Sequence, residues 1–227
     1  MDVLQSRRKL IIGIAGVVVA VAIIWAIVAA SNPYRGLETE RRNNIDDTTR
    51  EIVGQRLELS LAALEAQKDV GDVELDLYTS VIFDAWVMGD LVLARETSEE
   101  YFEHNDINYA AWNMYGAVLK EMGDLEGAED AYMQAIQLNP NVEEYYRDLI
   151  NVISEDPERS GDVKEALETL IENAGQSSWS MVTLGEWYRE NGECDEAIAH
   201  YKVAAGLAPE LESIQADLES LQKECAE

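Results

Sequence analysis

Histidine, cysteine and proline are scarce in this chain of 227 residues, which contains two histidines, two cysteines and four prolines. His104 and His200 lie far apart in the sequence, and no His/Cys group has the spacing of metal ligands. No strand pattern appears, and no glycine-rich loop follows a strand. We therefore expect no enzyme activity, no metal, no cofactor and no small-molecule substrate.

Basic residues are also few, with 17 Lys and Arg against 45 Asp and Glu and a formal net charge of -28. Residues 1–50 hold 7 basic and 5 acidic residues, which leaves 10 and 40 for residues 51–227, a charge of about -30. Such a charge repels phosphate groups, so we expect no nucleic-acid partner. A basic protein partner and a salt-adapted organism both explain this acidity, and the excess of Arg (11) over Lys (6) fits the second explanation.

A pattern of small and large apolar residues with helical spacing occurs twice in the chain. Its first copy comprises Trp112, Tyr115, Gly116, Leu119, Gly123, Ala128, Tyr132, Ala135 and Pro140, and its second comprises Leu184, Gly185, Tyr188, Gly192, Ala197, Tyr201, Ala204 and Pro209. Glycine and alanine allow two helices to approach closely, and proline ends a helix. We expect the aromatic residues Trp112, Tyr132 and Tyr201 to fill the space between neighbouring hairpins.

This order of residues resembles the tetratricopeptide repeat (TPR), a helical hairpin of about 34 residues that stacks into a solenoid. The resemblance implies an all-α fold and a role in binding proteins. Extending the repeat frame predicts four repeats, at residues 75–108, 109–142, 143–177 and 178–211. In the third repeat Gly161-Asp162 occupies the turn position, which residues 154–160 lengthen. Amphipathic helices at 51–74 and 212–227 are expected to cover the two ends, the first opened by a capping box of Thr48 and Glu51.

Residues 10–30 contain no charged residue, and as a helix these 21 residues match the thickness of a bilayer core, about 30 Å. We predict a single transmembrane helix here, preceded by a short basic tail at 1–9 and followed by a linker at 31–50. The alternative is a cleaved signal peptide, although its apolar run is usually only about 7–15 residues long.

The orientation follows from weaker signals. Arg7, Arg8 and Lys9 abut one end of the span, while Trp25 and Tyr34 mark the other interface. We expect the N-terminus to be cytoplasmic and the repeats to lie outside the cytoplasmic (inner) membrane. This layout resembles bacterial inner-membrane TPR proteins that face the periplasm, which assist membrane assemblies.

Two hypotheses concern specific side chains. Cys194 and Cys225 either form a disulfide, which would indicate an oxidising compartment, or are unrelated thiols. The concave groove of a TPR array is lined by the first helices of its repeats. In this register the predicted groove residues are Phe83, Trp86, Asn113, Lys120, Arg147, Asn151, Trp179, Glu186 and Arg189.

Arg147 and Asn151 resemble half of the carboxylate clamp by which some TPR domains hold chaperone tails, but the neighbouring repeats lack the other half. A helix or extended peptide on an aromatic floor fits the groove better, although Phe83 and Trp86 are equally well explained as core residues. The predicted function is a membrane-anchored scaffold, an adaptor or accessory subunit of a membrane protein assembly. The alternative is a chaperone-like holder of newly translocated or unfolded proteins.

Overall fold

The computed structural model describes residues 45–71 and 73–226, and this part of the chain consists of ten α-helices and one short 3-10 helix. A long helix, α1 (Asp47–Val70), comes first. Four helical hairpins follow: α2 (Leu75–Met88) with α3 (Leu91–His104), α4 (Tyr109–Glu121) with α5 (Leu125–Leu138), α6 (Glu143–Ile153) with α7 (Ser160–Ala174), and α8 (Ser178–Glu190) with α9 (Cys194–Leu207). The last helix is α10 (Glu212–Glu224). The first helix of each hairpin begins where a repeat is predicted to begin.

The turns of the second and fourth hairpins follow the expected pattern. Gly123 and Gly192 have φ values of 80° and 76°, a left-handed conformation that glycine adopts without steric cost. After Gly123, the side chain of Asp124 accepts a hydrogen bond from the Gly127 backbone N–H and so caps α5. The turn residues thus set the point where each second helix starts.

Gly116 and Gly185 provide room for an aromatic ring. A Cβ atom at Gly116 would lie 2.7 Å from the ring of Tyr132, and one at Gly185 would lie 2.7 Å from the ring of Tyr201. Each tyrosine therefore packs against a glycine of its own hairpin. The expected packing against the following helices is also present, since Tyr132 lies in one buried cluster with residues of α6, and Tyr201 with residues of α10. Trp112 does join two hairpins, because its ring stacks on Phe102 of α3 at a centroid distance of 3.8 Å.

The third hairpin departs from its predicted turn. The prediction that Gly161-Asp162 forms this turn was wrong, because both residues lie in the first turn of α7. The chain instead turns through residues 154–159, which include a 3-10 helix, Pro157–Arg159. Pro157 opens that helix, and the Asp156 side chain caps it by accepting a hydrogen bond from the Glu158 backbone N–H.

The start of α1 also differs from the prediction. Asp46, and not Thr48, is the N-cap residue, since its carboxylate accepts hydrogen bonds from both the backbone N–H and the hydroxyl of Thr49. The predicted capping box of Thr48 and Glu51 was therefore wrong, and residues 47–50 of the predicted linker are helical. An aspartate just before a helix satisfies free N–H groups and opposes the helix dipole.

The C-terminal end of the solenoid is covered by α10. Ile214, Leu218 and Leu221 are buried in one cluster with Met181 of α8 and Tyr201 of α9. A disulfide joins Cys194, the first residue of α9, to Cys225, which directly follows α10. The two residues are 31 apart in the sequence, so the bond encloses α9, the connecting loop and α10.

None of the helices in the described residues is long and apolar enough to cross a membrane. The predicted span at 10–30, the basic tail at 1–9 and most of the predicted linker lie outside these residues.

Candidate partner-binding groove

The predicted groove residues lie on the first helices of the four hairpins, and several of them connect one first helix to the next. The indole Nε1 of Trp86 on α2 donates to Glu121 on α4, at 2.9 Å. The Nδ2 of Asn113 on α4 donates to Asp148 on α6, at 3.2 Å. The inner faces of α2, α4 and α6 therefore form one continuous surface.

The N-terminal part of this surface is aromatic. Phe83 and Trp86 lie near each other on α2, with ring centroids 6.1 Å apart. Phe83 is 41% exposed, and Trp86 is partly buried beside Glu121. The core-residue explanation of Phe83 is therefore wrong, because much of its ring is accessible to a partner.

The centre of the groove carries a carboxylate in a partly buried position. Removal from water, with a smaller effect from the charge of Glu144, raises the pKa of Asp148 above its usual value, although the hydrogen bond from Asn113 and the charge of Lys120 oppose this. Within the described residues, the buried Oδ1 of Asn113 has no hydrogen-bond partner. The poorly hydrated negative charge of Asp148 at this centre favours a donor or cation from outside.

Arg147, which sequence reasoning placed in half a carboxylate clamp, is occupied within the protein. Its guanidinium bonds to Glu143 on the same helix and lies over the ring of Trp179 on α8, 4.0 Å from the ring centroid. The cation-π contact ties α6 to α8. Asn151 is exposed one turn further along α6, and Arg147 is not positioned as a free cation for a carboxylate ligand.

The C-terminal part of the groove is acidic. Arg189 on α8 forms an ion pair with Glu224 on α10 at 2.7 Å. Glu186 lies one turn earlier on α8, and partial removal from water, together with the charges of Glu190 and Asp217, raises its pKa. Because Arg189 is paired with Glu224, the carboxylates of Glu186, Glu190 and Asp217 make this end acidic.

Sequence reasoning missed Asp148 and Glu224. Their positions carry a signal that could have found them, because Trp86 with Glu121, Asn113 with Asp148, and Arg189 with Glu224 are each separated by 35 residues. This separation is close to the length of one repeat, so the first two pairs join neighbouring first helices and the third joins α8 to α10. A search for polar pairs at this separation would predict which groove residues bond to each other.

The groove offers no arrangement for metal chemistry. Among residues 45–71 and 73–226, no group of three or more His, Cys, Asp or Glu side chains could hold a metal ion. The two histidines lie elsewhere: His104 is 3.3 Å from the hydroxyl of Tyr78, and His200 stacks on Tyr188. The arrangement fits recognition of a polypeptide by hydrogen bonds, charge and aromatic contact.

Comparison with known proteins agrees with this geometry. The sequence of residues 109–142, which is the second hairpin, matches the tetratricopeptide repeat family. The described residues have the architecture of a TPR solenoid, four helical hairpins between two end helices. No curated protein matches the sequence at a significant level.

Solved TPR structures are similar in fold and distant in sequence. A crystal structure of MamA has a TM-score of 0.60 at 18% identity, covering 74% of this chain and 98% of MamA. The C-terminal part of a TPR protein from Cytophaga hutchinsonii has a TM-score of 0.63 at 16% identity, covering 84% and 72%. YrrB, described as a TPR protein with an unusual peptide-binding site, has a TM-score of 0.56 at 16% identity, covering 75% and 87%. At these identities the similarity establishes the fold alone.

Proposed function

We propose that this chain is a membrane-anchored scaffold that holds a protein partner in the groove of its TPR solenoid, as an adaptor or accessory subunit of a membrane protein assembly. Residues 10–30 would be the anchor, because they contain no charge over a length that spans a bilayer. The TPR domain would lie on the outer side of the inner membrane. The disulfide between Cys194 and Cys225 supports this side, since disulfides persist in oxidising compartments.

The observation that carries the proposed binding mode is the chemistry of the groove. Its arginines are engaged within the protein, Arg147 by Glu143 and Trp179, and Arg189 by Glu224. Burial raises the pKa of Asp148, so its carboxylate is poorly hydrated and would be stabilised by a cation. A partner segment with lysine or arginine and with apolar side chains fits this surface. The structural similarity to YrrB, whose description includes a peptide-binding site, is consistent with that mode.

The test is a pull-down of the full chain in mild detergent, read by mass spectrometry. Wild-type protein is compared with Glu186→Lys in the groove and with Glu168→Lys, an equally charged change at an exposed position of α7 outside the groove. We expect a stoichiometric partner to be retained by wild type and by Glu168→Lys and to be lost with Glu186→Lys. Equal recovery of the partner by all three proteins would contradict binding in the groove.

A pH series of the same pull-down examines Asp148. A bound cation lowers the pKa of a carboxylate, so protonation of Asp148 in mild acid should weaken the complex. Asp148→Asn should weaken it at neutral pH and remove part of this pH dependence. If many unrelated clients were recovered, and the protein suppressed aggregation of an unrelated substrate, the chaperone-like holder would replace the scaffold.

A further inference from the structure

The opposite face of the solenoid contains a cleft with an apolar lining. It lies between α5 and α7, the second helices of the middle two hairpins, and α6 forms its floor. We call it the convex cleft, and its apolar lining consists of Met133, Ile136, Leu149, Ile153 and Ala166. The cavity volume is about 360 Å³, and Met133 at its edge is 44% exposed. This volume lies in the range of about 300–1,000 Å³ that is typical of ligand sites.

The unusual turn of the third hairpin places one arginine between the two walls of the convex cleft. Arg159, in the 3-10 helix, donates two hydrogen bonds to Glu129 on α5, at 2.6 and 2.8 Å. It also donates to Asp162 on α7, at 2.7 Å. One guanidinium thus bonds to a carboxylate on each wall and links α5 to α7. The second and fourth hairpins have short turns and lack such a residue.

The rim of the convex cleft is strongly acidic. Six carboxylates lie around Arg159. Glu129, Asp162 and Glu165 line the convex cleft, and Glu126, Glu155 and Asp156 line a depression beside it that also contains Arg159. Arg159 is the only cation among the residues that line either one. An apolar floor with a negative rim complements a helix that has an apolar stripe and flanking positive charges.

We infer that the convex cleft is a docking site for a positively charged amphipathic helix of a protein partner. Its apolar side chains would contact Met133 and Ile136, while its lysines or arginines would lie against the acidic rim. A second copy of this chain is a poor occupant, because residues 51–227 carry a charge of about -30 and repel their like. Anionic lipid headgroups are disfavoured for the same reason.

The test uses the full chain in phosphatidylcholine nanodiscs and a fluorescent 15-residue helical peptide of Lys, Ala and Leu with three leucines on one face. A peptide of the same composition, with its leucines spread around the helix, is the peptide control. Labelling the methionine methyl groups with carbon-13 gives a site-specific NMR signal, because Met133 lies in the cleft whereas Met88 lies on α2. We expect the patterned peptide to shift the Met133 signal and leave Met88 unchanged.

Substitutions separate the apolar and the charged contributions. Ala166→Phe, on the α7 wall, fills part of the cleft and should weaken binding about tenfold or more, whereas the same change at exposed Ala199 on α9 should have no effect. Glu165→Lys on the rim should weaken binding roughly two- to fivefold, and Glu168→Lys, on the same helix but not part of the cleft lining, should weaken it less. If Ala166→Phe fails to fold, the comparison of Glu165→Lys with Glu168→Lys still tests the inference.

The outcomes separate the possible occupants. Binding that leaves the Met133 signal unchanged, or that Glu165→Lys and Glu168→Lys weaken equally, would mean diffuse attraction to an acidic surface and would overturn the inference. Equal binding of the two peptides would overturn it as well. A Met133 shift that depends on protein concentration without peptide would identify a second copy as the occupant and would replace the proposed partner.

Discussion

The two helices of a hairpin pack differently in the first hairpin than in the second and fourth. The second and fourth hairpins place a glycine on the first helix opposite a tyrosine on the second. In the second hairpin a glycine on the first helix, Gly116, accommodates the ring of Tyr132 on the second helix. Thirty-four residues earlier the two places hold Ile82 and Ser98, both buried. In the first hairpin the large side chain is therefore on the first helix and the small one is on the second. One large and one small residue together fill the space between the two helices, so either helix can carry the large one.

The third hairpin differs again, and its difference affects the surface. Ile150 occupies the place of the glycine and packs with Leu167 and Leu184. Its second helix begins only after the 3-10 helix that carries Arg159. The regular hairpins therefore maintain the solenoid, whereas this irregular one creates the convex cleft on the outer face.

The largest effect is expected at the end of the regular fourth hairpin. Replacing both Cys194 and Cys225 with serine removes a cross-link between residues 31 apart, which should lower the free energy of unfolding by about 3–4 kcal/mol. Urea unfolding followed by circular dichroism measures the change. Reductant should destabilise wild type and leave the double variant unaffected; a wild type insensitive to reductant would show that α10 is held by its apolar contacts alone.

A second prediction tests the exchange of large and small residues directly. Gly116→Ile should lower the free energy of unfolding by about 1–3 kcal/mol, because the new side chain meets the ring of Tyr132. Adding Tyr132→Ser reproduces the Ile82 and Ser98 combination of the first hairpin and should recover part of the loss. The thermal unfolding midpoints of the single and double variants measure this recovery. If the double variant were destabilised by more than the two single variants together, the proposed exchange of large and small residues would be wrong.

A smaller effect is expected where α1 docks on the first hairpin. The side chain of Asp84 on α2 is 1% exposed and is paired with Arg56 on α1, whose side chain is 52% exposed. Arg56→Met leaves the carboxylate buried without this partner, so α1 should open more readily. Hydrogen exchange of the α1 amides measures the opening. The double variant Arg56→Met/Asp84→Leu should recover protection, and Lys202→Met at an exposed position of α9 is the control. Unchanged exchange in Arg56→Met would mean that apolar contacts alone hold α1 in place.

The smallest effect concerns pH at the fourth hairpin. Partial burial lowers the pKa of His200 below its usual value of about 6.5. A histidine whose pKa is lower when folded contributes stability above its unfolded pKa, and that contribution is lost as the pH falls through the folded value. Stability should therefore decline in mild acid in wild type and decline less in His200→Gln. Urea midpoints between pH 7.5 and pH 5 measure the difference, and parallel curves for the two proteins would show that other groups dominate.

The repeat pattern predicted the helices well because each of its positions has a local cause. A glycine with a left-handed conformation ends one helix at Gly123, and a proline at Pro140 prevents α5 from continuing. Local signals also explain why the predicted turn at Gly161-Asp162 was wrong. Asp156, whose side chain caps a 3-10 helix, and Pro157, which opens it, lie earlier in the chain and start the helical structure there. Local signals compete, and the pattern alone does not indicate which one prevails.

The sequence predicted where the groove residues lie but not which of them are already bonded within the protein. The repeat frame places Arg147 on the first helix of the third hairpin, but only the structure shows Trp179 and Glu143 against its guanidinium. Asp148 could not be found from its own helix, because its hydrogen bond comes from Asn113 in another repeat. The binding role of these residues and the location of residues 10–30 in a membrane remain predictions.

By itself, the sequence of this protein determined its helical repeats, their order and the acidic charge of the domain, because helix spacing, turn residues and composition act over short distances. Only the tertiary structure decided which groove charges are already paired and where an apolar cleft opens. Both depend on contacts between residues about one repeat apart, such as Arg159 with Glu129 and Arg189 with Glu224. Those contacts form only when the hairpins stack, so no single segment of the chain encodes them.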